Sequence, residues 1–120
     1  MTAQERRCYA IETARSLYPC LGTGRHRTVF DMGDGWVLKL PQNIYGDGSN
    51  DLEVQLANSD EPSDIPFARC DMVDFFGIPA VKMEKVEQAR GNLPEWTNYV
   101  DCGQVGWTQD GRLVAYDFGL

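Results

Sequence analysis

The stretch "LGTGRHRTVFDMGDGWVLKLP", residues 21–41, places two short apolar runs on either side of a glycine-rich turn. Gly33 and Gly35 can supply the positive φ angles that a hairpin turn requires, so the runs predict two antiparallel strands. Because side chains alternate between the faces of a strand, Val37 and Lys39 share one face of the return strand, opposite Leu38. Lys39 is therefore expected to face inward.

Residues 1–18, which precede this hairpin, are predicted to form an amino-terminal helix. Thr2 and Glu5 fit a capping box, T-x-x-E, at its start. Apolar residues then recur at helical spacing and give one apolar stripe. Pro19 ends the helix because the residue before a proline avoids the helical region.

A second, short helix is predicted after the hairpin, between two polar loops. Ser49 or Asn50 can cap its start. Leu52 and Leu56 are spaced by one helical turn, so both are expected to face the core. Glu53 is expected to lie beside this apolar stripe.

The rest of the chain is dominated by strand patterns. The sequence pattern predicts two strands, residues 67–73 and 80–86. It then predicts a linker over residues 87–104 that holds a short helical turn. Residues 105–120 read as a hairpin, because Asp110-Gly111 is a strong two-residue turn signal between apolar strands. The hairpin is expected to cover the base of a small sheet with Val105, Trp107, Leu113 and Val114.

Together these elements predict one α+β domain over residues 1–120, a mainly antiparallel sheet with one or two packed helices. Residues 21–86 form its main lobe. A length of 120 residues with 42% hydrophobic composition suits one compact core.

Charge and hydropathy narrow the classes of function. The net charge of −7 argues against direct nucleic-acid binding, which needs Lys and Arg to neutralise phosphates. Arg25, His26 and Arg27 form a local basic patch within this acidic chain. No apolar run reaches the length of a membrane span, and the amino terminus lacks a signal-peptide core, so a cytoplasmic protein is expected. The cysteines lack metal-site spacing and are expected to be structural thiols.

Four sequence segments that resemble known motifs follow one another along the chain. "GTGRHRTVF" resembles the glycine-rich loop of protein kinases, and "WVLKL" resembles their strand with the phosphate-contacting lysine. "GIPAVKMEKVE" is similar to the strand that enters the interlobe hinge, and "TQDGRLVAYDFGL" is similar to the hairpin that ends in the metal-binding Asp-Phe-Gly. The chain also resembles short kinase-like proteins of tailed bacteriophages, in which "GRHRTVF" and "DCGQVG" type segments recur. The resemblance implies a kinase-like amino-terminal lobe.

Residue roles follow from this resemblance. Gly22 and Gly24 would approach nucleotide phosphates, and Lys39 would contact these phosphates while pairing with Glu53. Mg²⁺ would be held by Asp117 and by Gln104, which aligns with the metal-binding asparagine. ATP and Mg²⁺ are thus the implied ligands, although a binding role would require no cofactor. The alternatives are that Lys39 directs its ammonium group into solvent, that Glu53 is solvated and that Asp117 caps backbone groups at the end of a strand. Gly22 and Gly24 would then be ordinary turn residues.

The chain also departs from the kinase pattern. Arg27 stands where the third loop glycine belongs, and the His-Arg-Asp triplet is absent. Tyr99 falls at the place of the catalytic base, and Asp101 is offset by two residues. Only Leu120 follows the Asp-Phe-Gly triplet, so an activation segment and a substrate-binding lobe are expected to be missing.

Three functions remain open at this point. The first is a catalytically inactive, phage-encoded kinase-like protein that binds and modulates a host protein, with Arg25, His26, Arg27 and Trp96 as candidate contacts. The second is an ATP–Mg²⁺-binding minimal kinase that a homodimer completes. The third is an acidic DNA mimic that inhibits a DNA-binding protein.

Overall fold

The structure is a computed structural model that describes residues 1–58, 65–100 and 104–116. It has two α-helices, one 3₁₀ helix and eight strands. In chain order these are α1 (Ala3–Leu17), β1 (Cys20–Thr23), β2 (Arg27–Asp31), β3 (Trp36–Pro41), α2 (Ile44–Ala57), β4 (Cys70–Phe75), β5 (Ile78–Glu84), β6 (Glu87–Gln88), the 3₁₀ helix (Glu95–Tyr99), β7 (Val105–Trp107) and β8 (Leu113–Ala115).

The strands form two antiparallel sheets. The larger sheet has the order β1-β2-β3-β5-β4, and the smaller has the order β6-β7-β8. A parallel bridge between Phe67 and Ala115 links the segment before β4 to β8. The expected α+β domain with a mainly antiparallel sheet is therefore confirmed.

The amino-terminal helix forms as predicted. The Thr2 side chain accepts a hydrogen bond from the Glu5 backbone N–H, and the Glu5 side chain accepts one from the Thr2 backbone N–H. These two bonds satisfy backbone N–H groups that have no partner within the helix at its start. The buried stripe of α1 packs with β2, β3 and β5 in one core cluster: Ala10, Ile11, Ala14, Phe30, Leu38, Leu40, Ile78 and Ala80.

The hairpin of β2 and β3 also agrees with the sequence pattern. Gly33 and Gly35 have φ angles of 82° and 90°, which L side chains rarely adopt. Leu38 packs in the core cluster with α1, whereas Val37 packs in a second cluster with Val81, Met83 and Val114. The alternation along β3 thus places Lys39 on the second face of the sheet.

The predicted start of α2 and its predicted buried face are both wrong. Asn43 caps the helix, accepting a bond from the Gly46 N–H, so α2 begins well before Ser49. Leu52 and Leu56 are 44% and 36% exposed. The residues that α2 buries are Gly46, Asn50 and Glu53. The helix turns this polar face inward because buried cations on β2 and β3 lie beneath it.

Other boundaries also shift. β4 begins at Cys70 rather than residue 67, because Phe67 pairs with Ala115 instead of β5. The predicted linker contributes β6, which pairs with β7 and turns the predicted hairpin into a three-stranded sheet. Among the residues that the structure describes, no helix is long and apolar enough to cross a membrane.

Candidate functional site

A cleft of about 1130 Å³ lies between the second face of the larger sheet and the smaller sheet. The glycine-rich segment 21–27 forms one wall, and residues 85–87 and 107–109 form another. Val29, Val37 and Met83 supply apolar surface from the sheet. Concave sites with apolar walls and a few polar groups are the usual form of small-molecule sites.

Lys39 lies at this cleft and pairs with Glu53 of α2. The Lys39 Nζ donates to Glu53 Oε1 at 3.1 Å, to Glu53 Oε2 at 3.3 Å and to the Tyr116 carbonyl oxygen at 2.9 Å. Lys39 is only 4% exposed and Glu53 is fully buried. The expected pairing is confirmed, and the alternatives of a solvent-directed lysine and a solvated glutamate are wrong.

Arg27 joins the same cluster, which corrects its prediction as an exposed partner contact. It is 8% exposed, its Nη2 donates to Glu53 Oε1 at 2.7 Å, and its Nη1 donates to Asn50 Oδ1 at 3.3 Å. Val29 lies opposite Lys39 in the register of β2 and β3. Arg27, two residues before Val29, shares that face, and so the guanidinium points toward α2. We call Arg27, Lys39 and Glu53 the triad.

The triad keeps Glu53 ionised. Burial raises the pKa of Glu53, but the hydrogen bond from Arg27 and the charges of Lys39 and Arg27 outweigh burial, so the pKa lies below its usual value. Asn50 ties the triad to the sheet, since its Nδ2 donates to the Lys39 carbonyl oxygen at 3.3 Å. Beneath α2, burial and the negative charge of Glu53 raise the pKa of the Cys70 thiol to about 11.

Gly22 and Gly24 line the cleft, but they occupy different structures. Gly22 lies inside β1 rather than in a turn, and Gly24 closes the β1–β2 loop by donating its N–H to the Arg27 carbonyl oxygen at 2.8 Å. Among the described residues, a Cβ atom at Gly22 would meet nothing within 4 Å, and one at Gly24 would come no closer than 3.6 Å to another atom. Packing within the chain therefore requires glycine at neither position.

Of the other candidate partner contacts, Arg25 is exposed, and His26 and Trp96 are half-buried. His26 Nδ1 lies 3.2 Å from Asn43 Nδ2, beside the cap of α2. Trp96 belongs to the 3₁₀ helix, whereas Arg25 and His26 line the cleft. The basic patch is thus divided between the triad and the cleft wall.

Trp107 is a cleft residue that the sequence pattern was expected to place over the base of the small sheet. It is 46% exposed and lines the cleft, whereas Val105 and Val114 are buried as expected. Alternation places Val105 and Trp107 on the same face of β7, so the local sequence pattern predicts the same burial for both residues. The position of Trp107 at the end of β7 brings it to the cleft.

The implied metal site lies largely outside the described residues. Asp117 falls outside them, and Gln104 is not among the described residues that line the cleft. The Gln104 Oε1 is buried and has no hydrogen-bond partner in the described part of the chain. Within the described residues no group of three or more His, Cys, Asp or Glu side chains could hold a metal. The assignment of Mg²⁺ to Asp117 therefore stays a prediction.

Comparison with known proteins adds no family assignment. No family model, curated protein or solved structure matches this chain. The kinase resemblance therefore remains a proposal.

Proposed function

We propose that this protein is a kinase-like binding protein that takes a purine nucleotide such as ATP in its cleft without catalysing phosphoryl transfer. The observation that carries the proposal is the buried ion pair of Lys39 with Glu53 at a cleft with apolar walls. This combination suits a ligand with a flat apolar part and an anionic part. The motif order in the sequence supports the same ligand.

Charge at the cleft favours an anion. Among the described residues, the cationic side chains that line it are Arg25, Arg27, Lys39 and Lys85, together with the carboxylate of Glu87. Glu53 pairs with Arg27 and Lys39, and Asp31 pairs with Lys85. This concentration of positive charge occurs in a chain whose net charge is −7. Clefts lined by one sign of charge focus the field and raise the local concentration of oppositely charged ligands.

Size and wall shape also fit a nucleotide. The cleft volume of about 1130 Å³ is close to the upper end of the roughly 300–1,000 Å³ typical of small-molecule sites. The space beside Gly22, and the 3.6 Å between a Cβ atom at Gly24 and the Arg27 carbonyl oxygen, leave room for ligand atoms near the backbone. Glycine at these positions has a physical reason if a ligand approaches there.

The absence of catalysis rests on the sequence. Tyr99, at the place of the catalytic base, is 73% exposed and belongs to the 3₁₀ helix. In kinases an aspartate at this place accepts the proton of the substrate hydroxyl, and no aspartate of this chain aligns with it. We therefore expect nucleotide binding without turnover, which an assay for ADP release would measure.

ATP is expected to raise the melting temperature of the wild-type protein, and Lys39→Met is expected to remove most of that shift. A ligand at 100 times its Kd stabilises the native state by about 2.7 kcal/mol. Lys82→Met is the matched control, because Lys82 lies on β5 over the Trp36 ring rather than at the cleft. Differential scanning fluorimetry with and without ATP, in Mg²⁺ or EDTA, would measure the shifts. The absence of any wild-type shift at millimolar ATP would refute the proposal.

A second candidate function is binding of a partner protein, and a different surface favours it. The outer face of α2 exposes Ile44, Tyr45, Leu52 and Leu56, the first two at 69%. Apolar side chains repeated along one helix face are typical of helix-mediated recognition. The resemblance to phage proteins suggests that the partner is a bacterial host protein.

The double variant Leu52→Ser/Leu56→Ser is expected to lose a partner that the wild-type protein captures from bacterial lysate in stoichiometric amount. Removing two exposed apolar side chains takes away contact area and leaves the buried face of α2 intact. Gln55→Ser, also exposed on α2, is the matched control. Equal capture by the double variant and the control would exclude this face as the binding surface.

A further inference from the structure

Trp107 is an aromatic residue of the cleft, and nearly half of its surface faces solvent. It is 46% exposed, while the nearby Val37 and Met83 are buried. Tryptophan normally covers its apolar body and leaves only the polar tip in contact with water. An indole exposed inside a concave site offers a flat apolar surface to a ligand.

The backbone holds this indole in a defined place. β7 lies between β6 and β8, with Trp107 paired to Glu87 on one side and to Leu113 on the other. The contact with β6 is close, since a Cβ atom on Gly106 would lie 2.3 Å from Val86 Cγ1 and 2.4 Å from the Glu87 carbonyl oxygen. A platform built on a strand with neighbours on both sides is positioned before a ligand arrives.

The neighbouring side chains of Trp107 agree with a ligand that has both a ring and polar groups. Glu87 and Trp107 are directly opposite in the strand pair, so their side chains share one face, and both line the cleft. The carboxylate of Glu87 can accept hydrogen bonds from amino or hydroxyl groups of a ligand. Lys39 and Arg27 line the same cleft and suit its anionic part.

We propose that Trp107 is a specificity-determining residue that stacks on the planar ring of the ligand, while the anionic part of the ligand lies toward the triad. The inference rests on the proposed function and names its ligand class more closely: a heteroaromatic ring joined to an anion. Stacking on an aromatic side chain tolerates different bases, because every base has a π face. The site is therefore expected to bind ATP and GTP with similar affinity and to bind ring-free triphosphate much more weakly.

Titration of Trp107→Leu and Trp107→Phe with ATP and with inorganic triphosphate tests the stacking. Trp107→Leu is expected to weaken ATP binding about tenfold and to leave triphosphate binding unchanged. Trp107→Phe keeps a ring, so its Kd for ATP is expected to stay close to that of the wild-type protein while the ligand-induced quenching of tryptophan fluorescence is lost. Trp96→Phe is the control that keeps both the affinity and the quenching. Calorimetry gives each Kd, and unliganded melting temperatures verify that the variants fold.

The outcomes separate this inference from the proposed function. ATP binding by the wild-type protein with an unchanged Kd in Trp107→Leu would overturn the stacking role and leave nucleotide binding in place. Equal losses for ATP and triphosphate in Trp107→Leu would also overturn it, because the effect would not depend on the ring. Failure of the wild-type protein to bind ATP would overturn both proposals.

Discussion

Replacing Glu53 with alanine is expected to lower the free energy of unfolding by about 3–5 kcal/mol. The carboxylate is fully buried and accepts hydrogen bonds from both Arg27 and Lys39. Removing it leaves two nearly buried cations without their shared partner, which costs far more than losing a surface ion pair. The total stability of a domain of this size is only about 5–15 kcal/mol, so this loss is a large share of the stability of the fold.

Urea denaturation of Glu53→Ala, Glu53→Gln and Glu12→Ala would measure this effect. Glu12 is an exposed residue of α1 and is expected to tolerate alanine within about 0.5 kcal/mol. Glu53→Gln keeps the shape of the side chain but removes its charge, so it separates packing from electrostatics. A loss below about 1 kcal/mol in Glu53→Ala would contradict the central place of the triad in the fold.

The same residue sets an expected pH dependence. The pKa of Glu53 lies below its usual value of 4.5, so the folded state binds a proton less readily than the unfolded state. Its stabilising contribution is fully present above pH 4.5 and is lost as the pH falls through the lower folded-state pKa. As the pH falls, the free energy of unfolding of the wild-type protein is therefore expected to decrease more steeply than that of Glu53→Gln. Urea midpoints between about pH 3 and pH 6 would measure this difference.

Gly46→Ala is expected to lower the free energy of unfolding by about 2–3 kcal/mol, because α2 has no room for a methyl group at this position. A Cβ atom on Gly46 would lie 2.3 Å from the His26 carbonyl oxygen and 2.9 Å from Pro41. Both contacts are with the sheet side of the molecule, and the His26 oxygen already accepts a bond from the Gln42 N–H. The helix would have to move outward, which would separate Glu53 from its two cations.

Gly48 provides the control within the same helix. A Cβ atom at Gly48 would meet nothing within 4 Å. Alanine is favoured over glycine inside a helix, so Gly48→Ala is expected to raise the free energy of unfolding by about 0.5–1 kcal/mol. Thermal or urea unfolding of both variants would measure the two changes. Changes of the same sign and size would show that close packing at Gly46 does not position α2.

Sequence patterns correctly predicted those elements that depend on residues close together in the chain. The capping box of α1 and the hairpin of β2 and β3 depend on residues within one or two turns of each other, and both form as predicted. The face of β3 that carries Lys39 follows from alternation alone. The metal assignment to Asp117 lies outside the described residues and stays a prediction.

The orientation of α2 could not be read from its own residues. Leu52 and Leu56 have the spacing of a buried stripe, yet they are exposed while Asn50 and Glu53 are buried. Arg27 and Lys39 on the sheet each need an anionic or polar partner once buried, and the polar face of α2 supplies Glu53 to both. Helix spacing records which residues share a face, but it does not record what lies opposite.

By itself the sequence determined the order of the elements, the antiparallel hairpins and the inward face of Lys39, because these depend on short-range geometry. Only the tertiary structure decided that Arg27 belongs to the triad rather than to an exposed basic patch, and that Trp107 faces the cleft. Both outcomes depend on which segments, distant along the chain, lie against each other. Burial and charge pairing between such segments are physical effects that no local pattern contains.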